Sequence, residues 1–157
     1  MMDLIDKRLA RSYYGSKKII YFDLDGVMSN YADEPSYKDN PEIPMEGFFL
    51  KLKPIEGAIA AFKKLSEHYV CLFASTVPWS NVFANTEKRV WVEEQLGELA
   101  FKKLITTHHK NLLIGDYLID DRTVNGAGDF RGEHIHFGSD KFPDWDAVLA
   151  YLIPKKD

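Results

Sequence analysis

Short apolar runs closed by polar residues alternate along the chain with segments of helical period. The first run, Ile19-Ile20-Tyr21-Phe22, is β-branched and aromatic and stops at Asp23, Asp25 and Gly26, which predicts a buried strand over 18–24. Val70-Cys71-Leu72-Phe73-Ala74 predicts a second strand, and residues 103–106, 116–119 and 133–137 predict three more. Between the first two, Ile55, Ala58, Ile59, Phe62 and Leu65 recur at spacings of three and four, so 55–69 is expected as an amphipathic helix with Pro54 in its first turn. Further helices are expected over 85–96, stopped by Gly97, and over 142–152, with Trp145, Val148, Leu149 and Leu152 facing inward. Strands alternating with helices predict an α/β fold with a parallel sheet.

Two stretches break this rhythm. Residues 1–17 read as a short extension. Residues 28–53 are interrupted by Pro35, Pro41 and Pro44 and are too long for an ordinary connection, so they are expected as a small inserted unit. Its aromatics Tyr31, Phe48 and Phe49 either seat the insert on the body or offer ring faces to a planar ligand.

Polar residues gather at the C-terminal ends of four predicted strands: Asp23 and Asp25; Ser75 and Thr76; Lys110; Asp120 and Asp121. In open α/β sheets that edge is where ligands bind. Asp23 and Asp25 lie two apart on an extended segment and face the same side. Two adjacent carboxylates repel unless a cation lies between them, and a hard ion such as Mg²⁺ answers that need. An Asp-x-Asp-Gly can also be a plain turn exit, or mimic a calcium loop, but Val27-Met28 is too apolar to continue such a loop.

Size and charge narrow the field. The 157 residues fit one domain, 1–157, with the 28–53 insert inside it, and 45% hydrophobic residues suffice for a core. A net charge of −4 argues against a surface for a nucleic-acid polymer but not against a mononucleotide in a pocket. Cys71 is the single cysteine, so no internal disulfide forms, and it reads as a small core residue. No apolar stretch approaches the length of a membrane span, and the N-terminus lacks the apolar core of a secretory signal, so no membrane partner and a cytoplasmic location are expected.

With these clusters in this order, the chain resembles the haloacid dehalogenase superfamily of phosphatases. Asp23-Leu-Asp-Gly-Val27, Gly47-Phe48-Phe49, Glu87-Lys88 with Trp91-Val92, and Leu118-Ile-Asp-Asp-Arg122 resemble the 5′(3′)-deoxyribonucleotidase family more closely. The resemblance covers nearly all of residues 18–153. It implies a Rossmann-like three-layer sandwich with a central parallel sheet and a small cap, here 28–53, inserted after the first strand. It implies Asp23 as the nucleophile that takes the phosphoryl group and as a metal ligand. Asp25 is implied as acid for the leaving hydroxyl and base for water, with its backbone carbonyl on the metal. Ser75, with Thr76, would hydrogen-bond phosphoryl oxygens, and Lys110 would neutralise them. Asp121, with Asp120 behind it or in the reverse order, would complete a Mg²⁺ site. Tyr31, Phe48, Phe49 and Trp79 become candidates for holding base or sugar. The implied substrate is a small phosphomonoester, a nucleoside monophosphate, and a homodimer is compatible with the reading.

The chemistry agrees with these residue types independently. Phosphoryl transfer needs in-line positioning and neutralised oxygen charge, and a carboxylate nucleophile splits it into two easier displacements. Two rivals stand: a phosphatase for another small metabolite such as a sugar phosphate, and a receiver-like phosphoryl-accepting switch. The switch class carries its acidic pair after the first strand and its acceptor later, the reverse of the order here. Other signals are set aside. Gly126-x-Gly128 reads as a turn. The neighbours His108 and His109 point apart, with substrate contact from their loop as the alternative to a surface position. His134 and His136 are expected on the solvent side or edge of a strand whose core face is Ile135 and Phe137. Arg122 is expected to balance the acidic pair.

Overall fold

The computed structural model describes residues 14–35 and 46–153. The expected extension up to residue 13 and the stretch of the insert containing Pro41 and Pro44 lie outside the described residues. Among the described residues five strands form: β1 (Ile19–Phe22), β2 (Val70–Ser75), β3 (Leu104–Thr106), β4 (Tyr117–Asp120) and β5 (Glu133–His136). They pair in the order β3-β2-β1-β4-β5, every pair parallel. Three α-helices among the described residues complete the frame: α1 (Ala58–Ser66), α2 (Ala84–Leu96) and α3 (Trp145–Leu152).

The chain runs outward from β1 through β2 to β3, then crosses back to β4 and β5. Right-handed crossovers demand opposite sheet faces for the outward and return journeys, and the packing follows. On one face Ile20, Phe22, Phe73 and Ile119 meet Phe62 of α1, Trp91 of α2 and Trp145 of α3. Phe62 stacks on Phe73 with ring centroids 4.6 Å apart. On the other face Ile19, Tyr21, Leu72 and Leu118 are covered by Leu113, Ala127 and Phe130. The return segments 107–116 and 121–132 are short for a strand-to-strand crossover carrying a full helix, and each carries a 3₁₀ turn instead, Lys110–Leu112 and Ala127–Asp129. This thin layer lies close: Gly115 abuts the Tyr21 ring, where an added Cβ would come within 2.5 Å of it.

Two helix starts differ from the sequence expectation. Pro54 is not in the first turn of α1. It forms an antiparallel bridge with Ser29, and Ile55 N–H donates to the Met28 carbonyl at 2.8 Å. Asn30 N–H likewise bonds the Lys53 carbonyl at 2.8 Å, so the two ends of the insert are zipped together at its base. Gly57, at φ +79°, then breaks the backbone before Ala58. The third helix begins at Trp145 rather than Phe142 because Asp144 caps it, Oδ1 accepting from Ala147 N–H at 2.9 Å.

Candidate active site

β1, β2 and β4 end side by side, since Phe22 is in register with both Phe73 and Ile119. The switch in direction of strand order falls at β1, and open α/β sheets bind ligands outside the strand ends at such a point. Asp23 continues the ladder by donating its N–H to the Ile119 carbonyl at 2.9 Å, and it is 8% exposed. The chain then turns tightly: the amides of Val27, Met28 and Ser29 all point at the Leu24 carbonyl. Gly26, at φ +81°, is required twice over, because a Cβ there would lie 2.3 Å from Asp121 Oδ2.

Two buried lysines hold the carboxylates. Lys110 Nζ lies 3.0 Å from Asp23 Oδ1 and 2.5 Å from Asp120 Oδ2. Lys88 Nζ donates to Asp25 Oδ2 at 2.5 Å, Ser75 Oγ at 2.8 Å and the Thr76 carbonyl at 2.6 Å. Asp25 Oδ1 accepts from Ser29 Oγ at 3.1 Å, and Asp120 Oδ1 accepts from Arg122 N–H at 2.9 Å. Asp121 differs from these. Its Oδ1 is buried and has no hydrogen-bond partner among the described residues.

Burial pushes the Asp23 carboxyl up to about 7; Lys110 works against this while Asp120 and Asp25 add to it. Asp121 is raised as well, by burial first and then by Asp120. Burial works against the Lys110 ammonium, but Asp23 and Asp120 outweigh it and raise its pKa. The cluster is therefore short of positive charge. Oxygens of Asp23, Asp120 and Asp121 lie within 4.8 Å of one another. An all-oxygen set with one orphaned buried acceptor fits a hard divalent cation.

A cavity of about 500 Å³ opens over these groups, with Asp23, Asp25, Lys110 and Asp120 in its lining. Ser75, Lys88 and Asp121 are not part of that lining; Ser75 and Lys88 are buried. Phe48 and Phe49, edge to face at 5.0 Å between centroids, are buried, which seats the insert on the body, and they also line the cavity. Tyr31 stands beside them and accepts a hydrogen bond from Arg122, whose guanidinium also lies over its ring. Arg122 thus reaches the cavity mouth rather than merely offsetting the acidic pair. Trp79 is 89% exposed at the rim, edge-on to His108. His108 lines the cavity and His109 does not. The Thr76 hydroxyl donates to the Thr107 carbonyl at 2.9 Å and is committed to backbone. His134 and His136 sit on the edge strand as expected, stacked at 5.5 Å, with Nε2 atoms 3.2 Å from the Asp120 carbonyl and 3.0 Å from the Asp121 carbonyl.

Sequence reasoning assigned no role to Lys88 or Glu87. The signal was present: positions 84, 87, 88, 91 and 92 share one face of α2, so a Glu-Lys pair lies on the side that buries Trp91 and Val92. Charges on an inner face need partners.

Comparison with known proteins gives the chain's family. The model of the family described as 5′ nucleotidase, deoxy (pyrimidine), cytosolic type C, matches residues 41–144, a span that contains Glu87, Lys88, Lys110 and the acidic pair. A protein of Vibrio phage KVP40, provisionally named a 5′(3′)-deoxyribonucleotidase, is 44% identical over 97% of this chain and 94% of its own length. A Bordetella parapertussis protein of the same provisional name is 42% identical over 69% of this chain, and the match spans 60% of that protein. The human cytosolic 5′(3′)-deoxyribonucleotidase is 36% identical over 58% of this chain, a match to 47% of its length. On the family model that matches it and the relatives that it covers, this chain belongs to the 5′(3′)-deoxyribonucleotidase family of haloacid dehalogenase-type phosphatases.

Proposed function

We propose that the protein is a Mg²⁺-dependent phosphomonoesterase that hydrolyses deoxynucleoside and nucleoside monophosphates to nucleoside and phosphate. The observation that carries this is the meeting of Asp23, Asp25, Ser75, Lys88, Lys110 and the acidic pair beneath a cavity walled by Phe48 and Phe49.

An Asp23 carboxylate oxygen attacks phosphorus, and the bond from phosphorus to the nucleoside oxygen breaks. Asp25 gives its proton to that leaving oxygen. Water then attacks the aspartyl phosphate, Asp25 takes the water's proton, and phosphate departs with Asp23 regenerated. Ser75 Oγ accepts from Lys88, which leaves its own O–H free to donate to a phosphoryl oxygen. An ammonium has three protons. Lys110 spends two on Asp23 and Asp120, leaving one for the phosphoryl group. Lys88 spends all three on Asp25, Ser75 and Thr76, and so orients the acid and the hydroxyl. Asp23 and Asp121 would hold the cation, with Asp120 held behind them by Lys110, and the cation supplies charge neutralisation of the phosphoryl oxygens. Asp121 is preferred to Asp120 as ligand because both Asp120 oxygens already accept hydrogen bonds.

The aromatic wall favours a planar base over a sugar phosphate, since Phe48 and Phe49 face the cavity. The position of Asp25 as leaving-group acid, and the insert itself, favour an enzyme over a phosphoryl-accepting switch. Among the described residues no helix is long and apolar enough to cross a membrane, and we place the protein's work in the cytoplasm. Purified protein tested on ribo- and deoxynucleoside 5′- and 3′-monophosphates, sugar phosphates and p-nitrophenyl phosphate decides between the readings. Turnover of deoxynucleotides with Mg²⁺, lost with EDTA, is the expected result; a preference for sugar phosphates points to the metabolite reading, and no turnover of any ester to the switch.

Cation binding is expected to be coupled to protons. Below about pH 7 the buried Asp23 carboxyl holds a proton, and a cation must displace it. The apparent Mg²⁺ affinity, read by calorimetry, is therefore expected to weaken as pH falls below that value, by up to about tenfold per unit, and to level off above it. An affinity unchanged between about pH 5.5 and 8 contradicts the assignment of Asp23 as a ligand.

A further inference from the structure

Glu87 is 5% exposed and has no part in the chemistry above. A buried carboxylate is costly unless hydrogen bonds replace its water. Here they come from the insert: Gly47 N–H donates to Oε1 at 2.5 Å and Phe49 N–H to Oε2 at 3.1 Å. Both amides precede or begin the short 3₁₀ turn Phe49–Lys51, where no helix or sheet ladder satisfies them. Hydrogen bonds to an ionised acceptor are about twice as strong as neutral ones. The next residue of the same helix acts on the same target: Lys88 Nζ lies 4.6 Å from the centroid of the Phe49 ring. One turn of α2 thus grips Phe49 by its backbone through Glu87 and by its ring through Lys88.

We propose that Glu87 is a positioning residue that fixes the Phe48–Phe49 wall against the cavity and thereby sets the KM for nucleoside monophosphates. Apolar packing alone would be met by a hydrophobic side chain on the inner face of α2, beside Trp91 and Val92. A carboxylate whose two oxygens each take one backbone N–H fixes where that backbone lies and which way the rings point. This inference rests on the nucleotidase reading.

The test compares Glu87→Gln, Glu87→Asp and Phe49→Leu in the full chain with Mg²⁺, on thymidine 5′-monophosphate and on p-nitrophenyl phosphate. The aryl ester carries no deoxyribose and only a single small ring, so its turnover depends less than that of a nucleotide on where the wall lies. Glu87→Gln keeps the shape but sets an NH₂ against one of the two donors. It is expected to raise the nucleotide KM about tenfold with kcat within about threefold, and to change kcat/KM for the aryl ester by less than about threefold. Phe49→Leu is expected to raise the nucleotide KM more than the aryl-ester KM, and the Gln/Leu double variant to lose less than the product of the two, because both act through one wall. Equal loss on both substrates, or loss confined to kcat, overturns the proposal. Should the Gln variant fail to fold, Glu87→Asp, which keeps the charge one methylene short of its donors, is read on the same split. Phe49→Leu leaves Glu87 untouched, and its equal loss on both esters overturns the proposal by itself. A wild-type protein that cleaves the aryl ester but no nucleotide removes the nucleotidase reading, whereas a wild-type nucleotidase whose Glu87→Gln variant shows no split removes only this inference.

Discussion

Asp23→Asn is expected to abolish hydrolysis, with kcat falling by at least about 10⁴-fold on every phosphomonoester, while the fold survives. An amide nitrogen and a neutral carbonyl cannot make the first displacement, and no other carboxylate stands where Asp23 does between Lys110 and the end of β1. The fold should be unharmed for a physical reason. Burial already makes the charged form of Asp23 unfavourable enough to push its carboxyl up to about 7. Replacing it with a neutral isostere relieves that cost, and in the absence of Mg²⁺ the variant is expected to melt no lower than the wild type at pH 8. Linkage gives the sign: a carboxyl raised in the folded state loses stability as pH rises from its ordinary value, 3.8, towards about 7, and the asparagine removes that loss. Turnover at the wild-type rate would show that the nucleophile lies elsewhere.

Lys88→Met carries the second-largest effect. Its ammonium reaches the Asp25 carboxylate, the Ser75 hydroxyl and the Thr76 carbonyl at once. Methionine fills most of the volume but donates nothing. Asp25 then loses the partner that aims it, and Ser75 is free to rotate, so kcat/KM is expected to fall by about 10²–10³-fold. Stability should fall too, by up to about 3 kcal/mol, since one member of a buried pair is removed; the cost stays at the low end because the Asp25 side chain is 23% exposed and can be rehydrated. Steady-state kinetics with a melting curve checks both parts. A variant within threefold of wild type in kcat/KM would remove Lys88 from the active site.

The strands were readable from the sequence because each is a short apolar run with a polar stop, and the sheet brings the four stops to one edge. Asp23, Asp25 and Asp120 meet there because a parallel sheet puts C-terminal ends together, and the 3₁₀ turn that follows β3 carries Lys110 back to them. Lys88 and Glu87 escaped because they come from the middle of a helix, not from a strand end. Their clue was a charge pair on an inner face, which the pattern of apolar residues alone does not weigh. The start of α1 was misread because Ile55 fits the helical period, yet its amide is taken by Met28 at the base of the insert, a contact between residues distant in sequence. Phe48 and Phe49 carried two readings that periodicity could not separate. The structure makes them core and cavity wall together, since a ring has two faces.

Because Glu87 and Lys88 are consecutive on α2, the backbone of Phe49 and the carboxylate of Asp25 share one angular setting. Adding a single residue to the helix ahead of them would swing both by about 100° and disengage the two together. The stretch just before it, where Trp79 and Val82 are largely exposed, can lengthen or shorten without turning that helix on its axis. Insertions and deletions that the family tolerates should therefore collect in that loop and spare the first turn of α2, as teeth on a gear keep their spacing while the shaft that feeds them does not.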